Sequence, residues 1–151
     1  MTYAIRTNVP IEQSQAEIGE VLRHAGASQL CTGWSPVAAF LAFSIAGRNI
    51  KLIVPMPPPT VFEETPSGRK RSPKQREQAQ QQAQRQRWRA LMLIVRAKIE
   101  AIEIGASTLE REFLADLVLP SGATVVEQLV AQGLERALND ASVPLLPELC
   151  S

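Results

Sequence analysis

Nine cations are the residues of this chain whose type and spacing point most directly to chemistry: Arg69, Lys70, Arg71, Lys74, Arg76, Arg85, Arg87, Arg89 and Arg96. Guanidinium forks and ammonium groups in series follow phosphates along a nucleic-acid backbone, or match an acidic protein surface. Between residues 69 and 98 ten bases, Lys98 among them, stand against the single acid Glu77, a surplus of nine. The rest of the chain holds six bases and fourteen acids. A formal net charge of +1 therefore conceals strong segregation, and segregation of this kind points to a partner of opposite charge. The alternative reading is a solvated linker and helix whose charge serves solubility.

Other reactive side chains have no company. His24, the only histidine, has no carboxylate or thiol pattern beside it; it reads as a structural or surface residue at a helix C-terminus. Glu100, Glu103, Glu110, Glu112 and Asp116 lie close in sequence, without D-x-D or H-E-x-x-H spacing, and read as a solvated acidic face. Cys31 and Cys150 are far apart and read as a buried thiol and a free tail thiol. There is no G-x-x-x-x-G-K-[ST], no G-x-S-x-G, no paired C-x-x-C and no internal repeat. No enzyme, metal or cofactor is expected on these grounds.

The elements that must position the cations follow from periodicity. Ser72 and Pro73 form a cap followed by proline at the first helical position, and Gly105 closes the pattern. A helix over 73–104 would run roughly 48 Å at 1.5 Å per residue. Wound at about 100° per residue, Trp88, Leu91, Met92, Val95, Ile99 and Ile102 form its core stripe. Lys74, Arg85, Arg89 and Arg96 border the stripe on one flank, and Arg76, Arg87 and Lys98 on the other. Such rows follow phosphates or snorkel around a buried stripe. Residues 73–86 are rich in glutamine with no apolar face, so this half is expected to project from the domain, with dimerisation through the long helix a further option. The Pro-rich and then basic stretch 55–72 reads as a connector.

The remaining pattern is α+β: a small, mainly antiparallel sheet with helices packed on it, in a single domain over 1–151. Residues 2–7 read as an N-terminal strand and 10–25 as an amphipathic helix stopped at Gly26. Residues 37–54 read as a β-hairpin whose turn is supplied by Ala46, Gly47, Arg48 and Asn49, and 30–34 as a further strand. A short late strand is expected near 117–120. Two shorter C-terminal helices are expected, one opened by a capping box of Ser107 and Glu110, the other by Thr124 and Glu127. Trp34 and Phe40 are aromatics of a type that stacks unpaired bases, yet in a chain only 5% aromatic both are assigned to the core. No apolar run reaches the roughly 18 residues that a membrane helix needs, and no leader pattern opens the chain, so a cytoplasmic protein is expected.

The runs TYAIRTNVPIEQSQAEI (2–18), RQRWRALMLIVRAKIEAIEIG (85–105) and EREFLADLVLPSGATV (110–125) resemble a family of small proteins encoded by tailed bacteriophages and prophages. The resemblance spans most of the chain. It implies a setting, a phage product acting in the cytoplasm of an infected bacterium, and it assigns no catalytic role to any residue. Together with the charge pattern it leads to two expectations. One is an accessory protein that binds nucleic acid, DNA first, largely through phosphates. The other is an inhibitor of a bacterial defence complex, of anti-CRISPR or another anti-defence type, that acts by protein contact.

Overall fold

The computed structural model describes residues 6–140. Helix α1 (Ile11–His24) is followed by β1 (Gln29–Trp34), β2 (Ala38–Ile45) and β3 (Arg48–Pro55), then a 3-10 turn (Pro59–Phe62) and the long helix α2 (Pro73–Glu103). Three short α-helices complete the described chain, α3 (Leu109–Phe113), α4 (Val125–Ala131) and α5 (Leu134–Asn139), with a further 3-10 segment (Leu114–Asp116) directly after α3. The architecture is α+β, a three-stranded antiparallel sheet in the order β1-β2-β3 carrying a helical layer.

Local chemistry accounts for most boundaries. The β2–β3 hairpin pairs Ile45 with Arg48, leaving Ala46 and Gly47 as a two-residue turn. Both have positive φ, 49° and 73°, the primed turn whose twist matches that of the strands. Ser72 Oγ accepts from Gln75 N at 3.2 Å, and Gln75 Oε1 accepts from Ser72 N at 2.9 Å. This reciprocal box satisfies two of the helix-terminal donors that would otherwise be orphans. Gly105, at φ 75°, ends α2 in a left-handed residue.

The core lies on one face of the sheet. Along β2, Ala39, Leu41, Phe43 and Ile45 are buried, and Ile50 and Leu52 continue the layer on β3. Against them pack Ile18 and Leu22 of α1, then Trp88, Leu91, Met92, Val95 and Ile99 of α2, the stripe expected from the helical period. Phe113 closes one end of the core and meets Phe43 edge-on, ring centroids 5.6 Å apart. Each fully buried side chain of this size contributes about 1.5–3 kcal/mol.

Several expectations need correction. Of the N-terminal strand, residues 2–5 lie outside the described residues, and Arg6 and Thr7 are not in a strand. Thr7 is buried, and its carbonyl accepts from Gln82 Nε2 at 2.9 Å. The late strand shrinks to two isolated bridges, Leu117 to Ile50 and Val118 to Thr124, with Val118 N donating to Asn49 O at 2.8 Å. Two residues later Pro120, which has no N–H, prevents a longer ladder. The cap of α3 is Thr108 and not Ser107, because Ser107 N is engaged by Ala101 O in closing off α2. The final helix is broken in two by Gly133 at φ 90°.

The aromatics Trp34 and Phe40 are not core residues. Trp34 ends the edge strand β1 with 66% of its surface exposed. Phe40 alternates with the buried positions of β2 and so occupies the opposite face of the sheet. There its ring lies over Gly33, where an added Cβ would come within 2.3 Å of it, and Lys51 Nζ stands 5.9 Å from its centroid. Among the described residues, no helix is long and apolar enough to cross a membrane.

Candidate functional site

Seven of the nine cations divide into two groups once the fold places them, with Arg71 between the groups and Arg96 exposed on α2. Arg89 is buried at the contact of α1 and α2, with Nη1 donating to Glu17 Oε2 at 2.8 Å. Burial pushes the Glu17 carboxyl up, but the hydrogen bond from Arg89, one from Gln13, and the charges of Arg89 and Arg96 outweigh it and hold the group below the usual carboxylate range. Arg85 spends Nε and Nη2 on Gln82 Oε1, at 3.0 and 2.6 Å. On the other flank Arg87 Nε donates to Pro55 O at 3.2 Å. Lys98 reaches Glu112 O and Asp116, with Nζ 5.0 Å from the Phe113 ring centroid. Of the two basic rows beside the core stripe, Arg87, Arg89 and Lys98 tie α2 to other elements and Arg85 bonds within the helix, while Lys74, Arg76 and Arg96 are exposed. For Arg89 the assignment to a phosphate-facing row is corrected, because its guanidinium is covered by α1.

The second group is Arg69, Lys70, Lys74 and Arg76, all exposed. Among the described residues these four side chains make no hydrogen bond or ion pair. A small, well-tied turn presents them. Glu64 and Lys70 form a bridge pair, Thr65 N donates to Arg69 O at 2.8 Å, and Gly68 N to Thr65 O at 2.9 Å. Gly68 takes φ 82°, a left-handed turn residue that a side chain would strain. Thr65 Oγ1 accepts from Arg69 N at 3.1 Å. Arg71 ties the turn's base: its N donates to Glu63 O at 2.8 Å, and its Nη1 to Glu64 O at 3.0 Å and Phe62 O at 3.4 Å. Arg71 therefore orients its neighbours more than it faces outward. The connector 55–72 is a shaped loop, not an extended tether.

The projecting half of α2 is shorter than its composition suggests. Ala83 is buried, and Phe62, buried as well, belongs to the 3-10 turn that packs against this part of the helix. An open groove of about 680 Å³ lies between them, lined by Val61, Phe62, Thr65, Arg71, Ala79 and Gln86 among others. From Lys74 to Gln78 the helix is exposed on all sides. The exposed quartet thus occupies the turn and first helical turn, where the helix dipole adds partial positive charge. Acids are not remote: Glu63 and Glu64 stand on the opposite limb of the turn, and Glu77 follows Arg76.

The C-terminal acids do not assemble. Asp116 pairs with Lys98 at 4.0 Å and Glu110 with Arg48 at 3.8 Å, while Glu100 and Glu103 are exposed on α2. Burial raises the Asp116 carboxyl above its ordinary range, partly offset by the Lys98 charge. No group of three or more His, Cys, Asp or Glu among the described residues is placed to hold a metal ion. His24 is exposed in the last turn of α1, and Cys31 is an exposed free thiol rather than a buried one; Cys150 lies outside the described residues. The sequence reading also missed Lys51, whose place over Phe40 follows from strand alternation once the hairpin register is known. Compared with protein-family models, curated proteins and solved structures, the chain matches none of them.

Proposed function

We propose that this chain is a phage-encoded accessory protein that binds nucleic acid, DNA in the first place, through phosphate contacts. The observation that carries the reading is the contrast among the cations. Arg85, Arg87 and Arg89 are engaged within the fold, whereas Arg69, Lys70, Lys74 and Arg76 are exposed without described partners on one turn and one helix start. Four cations exposed on a tied turn and the helix start behind it suit point contacts with successive phosphates, which position a protein without reading sequence. A gel-shift series on single- and double-stranded DNA and RNA across salt concentrations tests this. The expected result is binding whose log affinity falls linearly with log salt, at no more than about 0.9 per neutralised phosphate, so about 3.6 for four contacts on a duplex. Absence of binding at low salt, or binding indifferent to salt, contradicts it.

A second reading is an inhibitor of a bacterial defence complex that acts by protein contact. It is favoured by the exposed apolar side chains Leu129, Val130 and Leu138 of the C-terminal helices, a type of surface that suits protein contact. A pull-down from nuclease-treated host lysate separates the two: a stoichiometric partner retained without nucleic acid favours inhibition.

A further inference from the structure

Helix α2 is apolar on two sides. Wound at about 100° per residue, Ala79, Ala83, Leu93, Ile94, Ala97, Ala101 and Ile104 fall opposite the core stripe. A helix with apolar residues on both faces is ordinarily covered on both. The chain shields the first part of this second face itself: Ala83 is buried and Ala79 half-buried, beside the 3-10 turn that carries Phe62. Farther along, the described residues leave Leu93, Ile94 and Ala97 exposed, and Ile104 has 74% of its surface in solvent. On one border of this open face lie Arg96 and Glu100, both exposed and neither in a hydrogen bond or close ion pair among the described residues.

We propose that this face docks a second copy of α2, antiparallel, about a two-fold axis beside residues 98 and 99. In that register Ala97 of each copy meets Ala101 of the other, and the small side chains let the two backbones approach. Ile94 of each copy packs on Ile104 of the other, on both sides of the axis. In an antiparallel pair related by such an axis, like borders face each other, so Arg96 of each copy lies against Glu100 of the other. Charge fixes the direction. A parallel pair would set the cationic N-terminal halves of α2 side by side, whereas the antiparallel pair carries them to opposite ends. The proposal stands independently of the nucleic-acid reading, because its contacts exclude Arg69, Lys70, Lys74 and Arg76.

Sedimentation equilibrium of the full chain over a concentration series, without nucleic acid, tests it. The wild type is expected to show a reversible species of twice the chain mass. Ala97→Arg should abolish that species while the far-UV circular dichroism stays unchanged. Arg96→Glu and Glu100→Arg should each raise the dimer Kd by about tenfold, and the double exchange should restore it to within about threefold. With Cys31 and Cys150 replaced by serine, oxidation of mixed Ile94→Cys and Ile104→Cys chains should cross-link the two variants to each other in preference to themselves. A monomer at every concentration overturns the proposal, as does a dimer indifferent to Ala97→Arg or a charge exchange that fails to restore binding. A chain that dimerises only after residues 141–151 are removed overturns it as well, since the tail is then the occupant.

Discussion

Glu17 and Arg89 meet at 2.8 Å across the α1–α2 contact, with the guanidinium buried and the carboxylate partly so. Removing one partner leaves the other charge without its counter-ion, so Glu17→Ala or Arg89→Ala should cost about 2–3 kcal/mol in urea unfolding. Alanine at Arg69 or Lys70, both exposed, should change stability by less than about 0.5 kcal/mol. The pH dependence has a definite sign. The Glu17 carboxyl is held below its ordinary range in the fold, so its stabilisation is present above the unfolded pKa and is lost as pH falls through the folded one. Asp116 runs the other way: its raised pKa means that ionisation works against the fold near neutrality and protonation relieves it. Glu17→Gln should therefore flatten the acid limb of the stability curve, while Asp116→Asn should cost less than about 1 kcal/mol at neutral pH. None of this pairing was legible in the sequence. A cation's job depends on what stands across from it, and Glu17 is 72 residues from Arg89.

At the scale of elements, local signals read well. The stripe from Trp88 to Ile99, the caps at Ser72 and Thr124 and the turn at Gly47 depend on near neighbours in the chain, and each appears in the structure. What failed depended on distant packing or on competition for one backbone group. Phe40 and Trp34 were assigned to the core by composition, yet strand register and the edge position of β1 put them outside it. Ser107 looked like a cap, but its amide had already been claimed by α2. The second apolar face of α2 was readable by the same winding that found the first. Two element-scale changes have expected outcomes. Ala46 holds φ 49° without being glycine, so Ala46→Asn, giving an Asn-Gly turn, should stabilise the hairpin by about 0.5–1 kcal/mol in thermal unfolding. Ser72→Ala removes one arm of the capping box and should cost about 1 kcal/mol.

For the whole molecule, the near-zero net charge matters less than where charge is neutralised. The flanks of α2 are anchored by Arg87, Arg89 and Lys98, and cations without described partners concentrate at its N-terminal end. If α2 pairs antiparallel with a second copy, those ends stand roughly 70 Å apart along the pair, at 1.5 Å per residue. A dimer would then present two separate basic contacts, not one merged patch. The central claim is that Arg69, Lys70, Lys74 and Arg76 carry the binding while Arg85 and Arg87 serve the fold. The direct measurement is the salt dependence of DNA affinity for the wild type, the quadruple alanine variant of the first set, and the Arg85→Ala, Arg87→Ala double variant. The quadruple variant should lose most of the slope of log affinity against log salt at unchanged stability, and the double variant should keep the slope while losing stability. A slope that survives in the quadruple variant and collapses in the double variant would contradict the account.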